Sequence, residues 1–89
     1  MQDIDKLRAE LDQIHTEIVG LLRKRFAVAT KIWEIKKATA LPLTDLKREQ
    51  AVVHQFDDMI SETSEQTAVQ NILKSIVIET KKYLEEKLK

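Results

Sequence analysis

The chain has 89 residues, with fifteen basic and fifteen acidic side chains, one glycine, one proline and no cysteine. Zero formal charge argues against a general nucleic-acid binder, and the missing cysteines exclude a disulfide framework or a thiolate metal site. Few turn formers and many charges describe long, regular helices within one small domain, residues 1–89. No apolar run is long enough to span a membrane. The opening Met1-Gln2-Asp3-Ile4-Asp5 lacks the basic and apolar regions of a secretory signal, so a cytoplasmic protein is expected.

The first helix is predicted from about Asp3 to about Ala38. Alternate steps of three and four residues from Ile4 meet Leu7, Leu11, Ile14, Ile18, Leu21, Arg25, Val28, Ile32 and Ile35, the a/d seam of a helix that packs on other helices. The pattern ends at Thr39-Ala40-Leu41-Pro42, where the proline biases Leu41 to extended geometry. Gly20 lies inside this helix and is expected at a close helix–helix contact, since glycine there costs about 1 kcal/mol relative to alanine.

Thr44 or Asp45 caps a second helix reaching about Ile60, with Leu46, Val53, Phe56 and Ile60 facing inward. After a turn at Ser61–Ser64, Thr63 and Gln66 read as a capping box for a third helix to about Leu88. Its inner positions are Val69, Leu73, Ile76, Thr80 and Leu84, flanked by Ile72 and Val77. A first helix of about 36 residues is roughly 54 Å long, against about 30 Å for the diameter of a compact chain of this size. One chain cannot cover both halves of that apolar stripe. The expected architecture is therefore all-α, with one long and two shorter helices, dimerised through the long ones.

Polar residues interrupt each seam. Arg25 stands in an apolar slot of the first helix, Glu49 in the second and Thr80 in the third. A guanidinium is costly to desolvate without a carboxylate or an anionic ligand. Arg25 and Glu49 either pair as a structural bridge or form a polar spot of the kind in which helical bundles hold ligands. Lys36, eleven residues after Arg25, leaves nearly the same face, though an end-of-helix lysine also suits the macrodipole. Arg8, seventeen residues before Arg25, is about 26 Å away along the helix and can enter the same pocket only from an antiparallel partner. His15 and His54 read as ordinary surface residues. Trp33 and Tyr83 read as packing aromatics, and Lys81-Lys82 as a solvated run.

These residues in this order resemble the all-helical (type II) chorismate mutases. The likeness runs through Leu7-Arg8, Leu11, Ile14, Leu21-Leu22-Arg23-Lys24-Arg25, Lys36 and Asp45-Leu46-Lys47-Arg48-Glu49 without a gap. It covers about the first 55 residues; the last third matches in helix length and apolar pattern. The resemblance implies an intertwined homodimer that rearranges chorismate to prephenate, in phenylalanine and tyrosine biosynthesis, without cofactor or metal. By matched position, Arg25 and the Arg8 of the partner would bind the two substrate carboxylates. Lys36 would donate to the ether oxygen and Glu49 would accept from the ring hydroxyl. Asp45 and Arg48 would line the site, Thr80 would stand at a usual serine near a carboxylate, and Ile32 and Val77 would form apolar wall.

Leu84 falls where the family usually has a glutamine or glutamate on the ether oxygen. Shifting the third helix by one residue offers Glu85 instead, but turns Lys74 and Lys81 into the seam. Two other readings are an isochorismate pyruvate lyase on the same fold and a non-catalytic helical dimerisation or regulatory module.

Overall fold

The computed structural model describes residues 2–88, apart from the side chain of Gln2. Met1 and Lys89, the ends of the expected domain, lie outside the described residues. Three α-helices follow in chain order: α1, Gln2–Ala38; α2, Leu46–His54; and α3, Thr63–Lys87. A short 3₁₀ turn, Asp57–Met59, lies between α2 and α3. The all-α expectation holds, and no described helix is long and apolar enough to cross a membrane. Contacts divide the chain into an N-terminal unit ending at Ile32 and a C-terminal unit beginning at Trp33.

The N-terminal unit is α1 up to Ile32. Asp3 and Asp5 occupy its first turn, where carboxylates suit the helix dipole. Its apolar seam, from Ile4 through Leu7, Leu11, Ile14, Ile18, Leu21 and Val28 to Ile32, is 46–64% exposed. A Cβ built on Gly20 meets nothing within 4 Å among the described residues, so the close contact expected there is not made within the chain.

In the C-terminal unit α2 packs against α3. Val53 of α2 and Val77, Thr80 and Leu84 of α3 are buried, the last three stepping by three and four along one helix face. Two side-chain pairings fix the helices as antiparallel: Lys81 with Glu49, and Gln70 with Asp57. That register sets Val53 level with Val77. Leu46 and Phe56, expected to face inward, are exposed, as is Ile72, expected to flank the inner face of α3.

Two helix ends differ from expectation for identifiable reasons. The second helix does not run to Ile60 but stops at His54. Asp57 and Asp58 would place two negative charges at a helix C-terminus, whereas they suit the first turn of a new 3₁₀ element. The cap of α3 is Glu62 rather than Thr63: its carboxylate accepts from the amides of Ser64 at 3.0 Å and Glu65 at 2.6 Å. Gln66 serves the turn instead, its Nε2 donating to the carbonyls of Asp57 (2.9 Å) and Ile60 (3.1 Å).

The end of α1 is a Schellman turn. Leu41 N–H donates to the Lys36 carbonyl at 2.9 Å and Ala40 N–H to that of Lys37 at 3.4 Å. Ala40 sits in the left-handed region with φ 57°. Glycine usually takes that position, because a Cβ crowds the following carbonyl there. Ala40→Gly is therefore expected to raise stability in urea unfolding by up to about 1 kcal/mol, after deducting glycine's larger chain entropy.

Candidate functional site

Lys36 is half-buried in the last turns of α1, and the Schellman bond to its carbonyl fixes its backbone. It lines an open cleft of about 460 Å³ together with Leu41, Pro42, Thr44, Asp45 and Leu46. That volume falls within the range of small-molecule sites, and its wall combines apolar surface with one cation and one carboxylate. Asp45 is the N-cap of α2: its Oδ1 accepts from the Arg48 amide at 3.0 Å. The cap aims the first turn of α2 beside the cleft. Arg48 is exposed there.

In the same first turn of α2, Glu49 is half-buried. Its Oε2 accepts from Lys81 Nζ of α3 at 3.3 Å, with the two side chains 27% and 33% exposed. Pairs this exposed contribute about 0–1 kcal/mol to stability, because water screens them and both chains lose freedom. The pair thus places charge more than it holds the fold together. Lys81 was expected among solvated lysines; it is instead the α3 side chain that reaches the α2 carboxylate. It follows Thr80 by one residue, so a strict three/four step along the apolar seam passes over it.

The other α3 candidates turn into the core. Leu84 is 3% exposed, Val77 8% and Thr80 6%. Thr80 Oγ1 donates to the Ile76 carbonyl at 2.6 Å, a bond within its own helix. Leu84, assigned to the position of an ether-oxygen ligand, is an interior packing residue of the C-terminal unit. Glu85, the alternative, is exposed.

The remaining candidates belong to the N-terminal unit. Arg8 and Ile32 are exposed and Arg25 is half-buried. Arg8 lies about 26 Å from Arg25 along the helix axis, beyond the reach of one small ligand. Among the described residues, no three His, Cys, Asp or Glu side chains gather into a metal-binding group.

The family model described as chorismate mutase type II matches residues 7–85. The chain belongs to that family. It is also similar to a bifunctional chorismate mutase/prephenate dehydratase of Aquifex aeolicus (strain VF5), 38% identical over 52 residues. That match covers 58% of this chain and 14% of the relative, so the chain spans only a small part of the curated protein it matches. No solved structure matches the chain significantly.

Besides the cleft, this member of the type II family carries a second polar cluster, at the junction of α2 and α3. Asp57 Oδ1 accepts from Gln70 Nε2 at 2.9 Å, and its Oδ2 pairs with His54 Nδ1 at 2.9 Å. His54 is on the surface as expected, yet it is tied into this network. The bond from Gln70, then that from His54, holds the Asp57 carboxyl below its usual range. The amides of Glu65 and Ser64 do the same for Glu62.

Lowered carboxyl values fix the sign of the pH dependence. The stability from both groups is present above the ordinary carboxylate range, about 3.9–4.3, and is lost as pH falls through their lowered folded-state values. An Asp57→Asn/Glu62→Gln double variant should melt below wild type at neutral pH. The gap should narrow as pH falls below the ordinary carboxylate range, as thermal melts across pH will show.

Proposed function

We propose that this chain is a chorismate mutase, converting chorismate to prephenate as a homodimer in the cytoplasm for aromatic amino acid biosynthesis. The observation that carries the reading is the cleft at the α1–α2 connection. There Lys36 and Asp45 line one cleft, with Arg48 and Glu49 on the first turn of α2, in a chain of the type II family.

The rearrangement is unimolecular: one C–C bond forms while the ether C–O bond breaks, with no nucleophile and no net proton transfer. Its main demand is to hold a flexible dicarboxylate in a compact conformer. Arg25 and the partner's Arg8 are the groups proposed for the two carboxylates, because guanidinium forks fix such groups in two directions. As the C–O bond breaks, negative charge grows on the ether oxygen. A lysine aimed there binds the transition state more tightly than the ground state, and so raises turnover. Lys36 has that role in this reading, and Glu49 accepts from the ring hydroxyl. The half-exposed apolar seam of α1 supports the dimer: contiguous apolar surface of this extent marks an interaction face.

Following chorismate loss by absorbance tests the assignment. Lys36→Ala should lower kcat by about 10²–10³-fold, the usual effect of removing one transition-state donor, while leaving the melting temperature nearly unchanged. Near-normal turnover in that variant would contradict the role of Lys36. Turnover of isochorismate to pyruvate in place of chorismate would assign the site to the lyase reaction.

A further inference from the structure

We infer that Lys81 is a positioning residue of the site: it clamps one oxygen of Glu49 and leaves the other to accept the substrate's ring hydroxyl. The inference rests on the mutase reading above and assigns a residue that reading does not include. Lys81 Nζ lies 3.3 Å from Glu49 Oε2. Among the described residues, Glu49 Oε1 carries no hydrogen bond. A carboxylate held at one oxygen turns less freely, so its second oxygen presents an acceptor over a narrower range of directions.

The packing explains why Lys81 takes this part. Glu49 and Val53 are one turn apart on α2, and Val77 and Lys81 are one turn apart on α3. The antiparallel register sets buried Val53 level with buried Val77, which puts Glu49 and Lys81 level at the next turn, at the edge of that contact. Val77, Thr80 and Leu84, the other α3 candidates, are buried. Lys81 is thus an α3 side chain in direct contact with a site residue of α2. Its half-buried stem limits the directions from which the ammonium approaches Glu49.

A double-mutant cycle on kcat/KM for chorismate tests this. The variants are Lys81→Met, Lys81→Arg, Glu49→Gln and the Glu49→Gln/Lys81→Met pair, each checked for folding by its melting curve. Glutamine at 49 retains an acceptor oxygen, so residual turnover stays measurable. Lys81→Met is expected to lower kcat/KM about ten- to a hundred-fold in the Glu49 background, the scale of a small misplacement of a reacting contact. Lys81→Arg should restore most of it. In the Glu49→Gln background the same Lys81→Met change should alter kcat/KM by no more than about two-fold. An active wild type with an unimpaired Lys81→Met variant overturns the inference alone. So does an equal loss in both backgrounds, which would place Lys81 on the substrate or on the fold rather than behind Glu49. A wild type without activity on chorismate overturns the mutase reading and this inference together.

Discussion

The 37-residue α1 carries an apolar stripe that its own chain leaves uncovered, and this shapes the whole molecule. Burying a leucine or isoleucine side chain stabilises by about 1.5–3 kcal/mol, and the seam from Ile4 to Ile32 leaves each of its apolar side chains about half exposed. A second copy presents the same stripe, and a two-fold interface between like surfaces is the commonest way for such a face to be covered. In the proposed enzyme, covering that stripe and completing the site are one event, because the partner's Arg8 arrives with it.

In the C-terminal unit, helix ends position the candidate residues around a small core. Its buried residues are Val53, Val77, Thr80 and Leu84. Around them the charged groups stay at half-exposed rims: Lys36 at a Schellman turn, Asp45 as a cap, Glu49 against Lys81. Keeping the ions at the rim avoids the desolvation cost of burying them. It also leaves their polar atoms accessible to a ligand. Ala40, held at positive φ next to the turn that fixes Lys36, is where the backbone is strained to make that geometry.

Much of this was legible in the chain, and the gaps have physical causes. The three/four apolar spacing located α1, and Asp45 is a favoured capping type, so the start of α2 was readable. Lys36 and Asp45 meet in one cleft, with Arg48 and Glu49 on the turn that Asp45 caps, because all four flank a short loop that the sequence marks with Pro42. The Schellman turn was hidden because alanine stands where glycine would announce it. Glu62 was missed as a cap because Thr63 and Gln66 imitate a capping box one residue later. Lys81 escaped because an apolar seam names the residues inside a helix contact and passes over those at its edge, where a long side chain can still cross to the neighbour. The fate of Leu84 follows from the same geometry: a leucine in step with Val77 and Thr80 belongs to the interior.

In the proposed dimer the Arg8 of a second copy completes each site, and mixing two inactive variants tests this. Arg8→Ala and Lys36→Ala chains, unfolded together and refolded, form dimers in which one site takes an intact Lys36 from one chain and an intact Arg8 from the other. If Arg8 acts across the interface, chorismate turnover should recover to about a quarter of the wild-type value, the statistical yield for a two-fold dimer. Turnover no greater than the mean of the two variants alone would contradict the shared site.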